Sequence, residues 1–219
     1  MDDEKYLYRV KFEKIDNMKF IGHLDLLKLF QRAVKRSGLP VAYSKGFNPH
    51  QIMSFALPLS VGIESIGEIV DIEFTKELDC TDAALKLNVT MPDGLKVLNV
   101  KRLLKGEKNA AASLTAAIYE VVFPKEISPE IIDEILNRNE IIVTKKSKKG
   151  EKTLDIRPMI YKIEALGSSA IQLTIATGSA LNLKAEVAAE LICERLDMPY
   201  VLGDVRIKRL ELFGEKGSL

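Results

Sequence analysis

The chain of 219 residues has no tryptophan, two cysteines and two histidines. Cys80 and Cys193 lie far apart, in segments that read as helical, and are expected to be reduced, packed thiols. There is no CxxC, no Cys/His cluster, no GxGxxG, no Walker loop and no HExxH. An iron–sulfur or zinc site belonging to this chain is therefore not expected, and neither is a nucleotide loop of familiar type. No apolar run approaches the ~20 residues of a membrane span. The first residues, MDDEKYLYRV, are acidic where a signal peptide is basic and then apolar, so a cytoplasmic protein without membrane attachment is expected. Net charge is only +1.

That near-neutrality hides a segregation. Lys19 to Pro58 holds both histidines and six basic residues (Lys19, Lys28, Arg32, Lys35, Arg36, Lys45) against one acid, Asp25. The remainder is net acidic, and segregated positive charge usually faces an anionic partner.

Periodicity organises the chain. Tyr6–Ile15 alternates as a half-buried strand, and Leu26, Leu27, Phe30, Ala33 and Val34 recur at helical spacing up to a stop at Ser37-Gly38-Leu39-Pro40. Val41–Tyr43 reads as a short strand into a turn at Lys45–Pro49, and Gln51–Leu59 as a returning or second arm. Gly67–Phe74 alternates, Asp79 or Thr81 caps a helix over Asp82–Leu87, and Leu95–Leu103 is a strand. Residues 1–104 thus read as an N-terminal ferredoxin-like (split βαβ) domain with an antiparallel sheet. Lys105–Thr115 loses periodicity and is the expected linker. Residues 116–219 repeat the pattern: strand Ala117–Phe123, a helix from Ser128-Pro129 to Leu136, strands Ile141–Lys145, Thr153–Ala165 and Ala170–Thr177, helix Leu183–Leu196, and strand Val205–Phe213. The expected class is α+β, two ferredoxin-like halves, the second with one extra strand.

Lys28, Arg32, Lys35 and Arg36 fall at i, i+4, i+7 and i+8, on the face opposite the apolar stripe. A solvated helix surface is the bland interpretation, but solvated faces mix signs and no acid lies between Lys28 and Ile63. Repeated cations match repeated phosphates, so an anionic partner is expected, nucleic acid before others; such a stripe positions a backbone and does not read bases. Lys45, Phe47, Asn48 and His50 extend the expected RNA-binding set, with Phe47 able to stack on an unpaired base and Phe55 expected in the core. His23, Asp25, His50 and Arg157 are the candidates for acid–base chemistry, with Ser44 or Ser54 nearby. Asp25 is equally a helix N-terminal charge, and Asp155/Arg157 equally a structural ion pair on one strand face. Lys145–Lys152 holds five lysines and reads as a hairpin tip.

Taken together, FIGHLDLLKLFQRAVKRSGLPVAYSKGFNPHQIMSFALPLSVGIESIGEIVDIEF, KKSKKGEKTLDIRPMI and VRIKRLELFG resemble the radical-SAM-linked protein family, domain of unknown function 2344. The resemblance picks out His23, Asp25, Arg32, Ser44, Gly46–His50, Ser54, Asp155, Arg157 and Pro158. Leu183-Lys184-Ala185 departs from it where an Arg-Pro pair would open the last helix. The resemblance implies a stand-alone accessory chain beside a radical SAM protein. The iron–sulfur cluster and S-adenosylmethionine would belong to that partner, and no cofactor to this chain. The expected function is accessory or substrate-binding, directed at ribosomal or transfer RNA modification or processing. The rivals are an independent RNA-processing or small-molecule enzyme using His23 and His50, and a scaffold that meets only protein.

Overall fold

A computed structural model describes residues 5–147, 150–178 and 181–219, with side chains left aside over 145–152. The chain divides into two compact units, Met1–Leu114 together with Glu211–Leu219, and Thr115–Leu210.

In the first unit the elements run β1 (Tyr6–Lys14), α1 (His23–Ser37), β2 (Met53–Phe55), β3 (Glu64–Phe74), α2 (Cys80–Thr90), β4 (Leu95–Arg102) and α3 (Ala110–Ser113). The sheet order is β4-β1-β3, with β2 also on β3, and these three pairings are antiparallel. Val10 sits opposite Val70 on one side and Val100 on the other. Alternation sends Tyr8, Val10 and Phe12 to one face, where they meet Leu26, Phe30 and Val34 of α1 and Leu87 of α2. Burying each such side chain contributes about 1.5–3 kcal/mol. Gly38 ends α1 in the left-handed conformation expected of a C-terminal glycine (φ 71°). Asp79, rather than Thr81, caps α2, its carboxylate accepting from the Asp82 amide at 2.8 Å.

The other sheet face carries Arg9, whose guanidinium grips Asp71 through two hydrogen bonds of 2.8 and 3.0 Å, both residues buried. Asp71 also accepts the Ala110 amide at 2.7 Å, and Arg9 donates to the Lys108 carbonyl at 3.2 Å. The Lys105–Thr115 segment is therefore not a structureless tether. Asn109 caps α3, and Ala110 and Ser113 are buried against their own unit.

The second unit holds β5 (Leu114–Val122), α4 (Pro129–Leu136), β6 (Ile142–Ser147), β7 (Gly150–Asp155), β8 (Ile160–Ala165), β9 (Ala170–Ala176), α5 (Ala185–Arg195) and β10 (Arg206–Gly214). β10 lies beside β5, followed by β9 and β8; β6 and β7 form a separate two-stranded sheet. The expected single strand Thr153–Ala165 is broken. Pro158 cannot continue a ladder, and Arg157–Met159 turn through a short 3₁₀ helix. The expected extra strand is thus a whole hairpin, Ile142 opposite Asp155. From Glu211 onward β10 belongs with the first unit, as does β11 (Gly217–Ser218), which pairs back on Phe213 and Gly214. This is an α+β protein with mostly antiparallel strands.

Candidate functional site

Helix α1 turns Leu26, Phe30, Ala33 and Val34 inward, which leaves Asp25, Lys28, Arg32, Lys35 and Arg36 exposed. The four cations do not share one surroundings. Asp25, Lys28, Arg32 and Arg36 line an open groove of about 570 Å³ whose other wall is Thr90–Pro92, the end of α2. One Arg36 Nη donates to the Thr90 carbonyl at 2.6 Å, and Thr90 Oγ1 donates to the Ala33 carbonyl at 3.1 Å, so both walls are tied together. Lys28 Nζ stands 3.8 Å from Asp25, an exposed contact worth little. Arg32 has no ion pair among the described residues. Lys35 is exposed but does not line the groove. Next to it in the helix, the Gln31 carbonyl accepts from Gln51 Nε2 at 3.1 Å, which docks the base of the following turn on α1.

That turn is stapled at both ends. Tyr43 and Gln51 form an isolated bridge, and the Ser44 amide donates to the His50 carbonyl at 2.8 Å. Ser44 Oγ accepts the His50 amide at 3.0 Å and lies 2.9 Å from Nδ1 of the same ring. A hydroxyl that accepts the amide has its own proton to give to Nδ1, an arrangement that suits the tautomer with Nε2–H directed outward. Between the staples Lys45 to Pro49 are exposed, Gly46 sits at φ 123°, and Phe47 is 101% exposed. Phe55, by contrast, is core, stacked edge-on against Phe12 and Phe30.

His23 opens α1, half-buried, its ring edge-on to Phe55 at 5.4 Å. Asp25 lies in the first turn as a favourable charge for the helix dipole, not as the cap; Gly22 holds that place and its carbonyl accepts from Leu26. Among the described residues no hydrogen bond or ring contact joins His23 to His50, or Asp25 to either. Ser54 is exposed on β2, its backbone opposite Asp71.

Arg157, in the second unit, is engaged by backbone. Its Nε and one Nη donate to the Leu136 carbonyl at 3.2 and 2.7 Å, and the other Nη to the Ile160 carbonyl at 2.9 Å. Asp155 accepts the amides of Ile141 and Arg157 at 2.8 and 3.0 Å. The expected Asp155–Arg157 ion pair is replaced by two separate backbone clasps. The lysine-rich tip at 145–152 lies outside the residues whose side chains are described. Lys184 precedes α5 without a side-chain capping bond.

Sequence reasoning missed the buried Arg9–Asp71 pair. The available signal was a charge at the centre of each of two well-alternating strands. Among the described residues no three His, Cys, Asp or Glu side chains gather as a metal site needs. Among the described residues no helix is long and apolar enough to cross a membrane.

An α+β protein with a cationic groove and an aromatic-tipped turn is the class these features define. The chain belongs to the family described as uncharacterized protein conserved in bacteria, DUF2344, whose model matches residues 7–185. No curated protein matches the chain.

Proposed function

We propose that this protein binds RNA as the accessory subunit of a radical SAM enzyme, with chemistry supplied by that partner. The observation that carries the RNA half is the groove: Lys28, Arg32 and Arg36 line it, and Arg32 has no protein partner among the described residues. A guanidinium in that position matches a phosphate bidentately, and a row of cations matches successive phosphates. The exposed ring of Phe47, with His50 held by Ser44, adds a stacking surface and an outward donor, which favours unpaired bases over duplex. The family resemblance supports the radical SAM partner. Two split βαβ halves form the scaffold in this interpretation. The orders β4-β1-β3 with β2 beyond β3, and β10-β5-β9-β8, support it.

A second interpretation, an enzyme in its own right, rests on the Ser44–His50 contact. Replacing His50 with Ala would then abolish turnover of RNA while most of its binding, carried by the Lys28, Arg32 and Arg36 groove, is retained.

The test of RNA binding is a titration of fluorescent cellular RNA at several salt concentrations, beside a Lys28→Glu/Arg32→Glu variant. Three phosphate contacts on single strands give a log–log salt slope of about −2. The variant is expected to bind at least tenfold more weakly with a shallower slope. Phe47→Ala is expected to cost about 1–3 kcal/mol on single-stranded but not on duplex probes. A folded protein that retains no RNA at low salt would remove RNA as a direct ligand and hand the groove to an acidic protein surface.

A further inference from the structure

The cationic groove on α1 contains one residue that phosphate binding does not need. Asp25, Lys28, Leu29, Arg32 and Arg36 fall at i, i+3, i+4, i+7 and i+11, so they share one face of the helix and line the same groove. Asp25 is the single carboxylate among the lining residues, set against three cations, and it repels any phosphate that the cations attract. Its place in the first turn suits the helix dipole. Leu24, exposed in the same turn and outside the groove, offered the dipole an equal place. The groove therefore holds a strong hydrogen-bond acceptor that helix stability alone does not account for.

The neighbours of Asp25 indicate what it can meet. Lys28 Nζ lies 3.8 Å from its Oδ1, beyond hydrogen-bond reach, and both side chains are exposed. An acceptor and a cation thus stand side by side on the groove wall. RNA presents the complement: on each ribose the 2′-hydroxyl, a donor, stands beside the 3′-phosphate. Carboxylates accept ribose hydroxyls in dinucleotide sites, and the 2′-hydroxyl is the group that separates RNA from DNA. Beyond Lys28 come Arg32, without an ion pair among the described residues, and Arg36, already held by the Thr90 carbonyl. These two lie about 6 Å apart along the helix axis. Ile21, Leu29, Met91 and Pro92, all half-buried, give the groove apolar surface for a base.

We infer that Asp25 accepts the 2′-hydroxyl of one ribose while Lys28 holds the adjoining phosphate, which makes the groove select RNA over DNA. Asp25 is then a specificity residue. It adds nothing to phosphate affinity, and with deoxyribose its charge is left facing phosphate uncompensated. This role rests on the RNA-binding function proposed for the groove, and names the group on the nucleic acid that is recognised there.

Three fluorescent ten-nucleotide probes, all with uracil bases, separate the cases. One carries ribose, one 2′-deoxyribose, and one 2′-fluoro-2′-deoxyribose, which keeps the ribose pucker but has no hydrogen to donate. Anisotropy titrations of the full chain at low salt are expected to show the ribose probe bound roughly tenfold more tightly than the other two. In Asp25→Ala that preference is expected to shrink to about twofold or less. The deoxy and fluoro probes then bind as well as before or better, because a charge facing their phosphates is gone. A role confined to the helix dipole would move all three probes alike. Equal binding of the three by the original protein, a ribose preference that survives in Asp25→Ala, or a uniform change in that variant would each overturn the assignment and leave nucleic-acid binding in place. Failure of the original protein to bind any of the three would overturn it together with the RNA-binding function.

Discussion

Tyr200 shows how much one side chain owes to its neighbours. Its hydroxyl is buried with no hydrogen-bond partner among the described residues. Burial, and then the charges of Glu186, Cys193 and Glu190, push its pKa up to about 12. A phenol in the unfolded chain titrates near ~10. The raised folded value means that the neutral ring favours the fold; this contribution is complete below about pH 10 and disappears as pH rises through about 12. Burial also raises the Cys193 thiol, which adds to the same alkaline sensitivity. In Tyr200→Phe the melting temperature is expected to fall less steeply between pH 10 and 12 than in the original protein. Parallel decline of the two would show that Tyr200 is not responsible.

At the scale of elements, α4 depends on a residue 21 positions beyond its last carbonyl. Arg157 closes the exposed end of that helix, a task a lysine cannot copy because the fork spans two carbonyls. Arg157→Ala is expected to cost about 1–3 kcal/mol of stability, read as a lower denaturant midpoint, and Arg157→Lys to recover little of it. If both variants unfold like the original, the clasp is ornamental.

The same element shows what could be read in the chain beforehand. Strands and helices with clear apolar periods, Tyr6–Lys14 or His23–Ser37, were legible because burial imposes the period directly. Leu154-Asp155-Ile156-Arg157 also alternates, so it passed for strand, although the proline after it was the clue to the break. Val41–Tyr43 reads as a strand yet makes only isolated bridges. Of the candidate site, the cationic helix face was legible in the spacing. The parting of Lys35 from Lys28, Arg32 and Arg36 was not, because the groove's second wall arrives from Thr90, far along the chain. The Asp71 contact to Ala110 was hidden for the same reason: partners 39 residues apart leave no local pattern.

On the scale of the whole molecule, charge and chain order matter most. The first unit concentrates the exposed cations Lys28, Arg32, Lys35 and Arg36 on α1 in a chain whose net charge is only +1. The first unit is also built from both ends of the described chain. Leu212 is fully buried, Glu211 bonds Lys11 at 2.6 and 2.7 Å, and Glu215 bonds Lys108. A chain truncated after Leu210 is expected to lose amide-exchange protection in β1 while β9 keeps most of its own. Unchanged protection in β1 would mean that these last residues are dispensable to it.

That return of the chain sets a timetable for biosynthesis. Residues 211–219 leave the ribosome only after the entire second unit, roughly 5–20 s behind residue 114 at ordinary elongation rates. Until then the nascent first unit has Lys11 without Glu211 and no Leu212 to complete its packing. It must wait unfinished while its neighbour is made, so the half that begins translation first is the last to be complete.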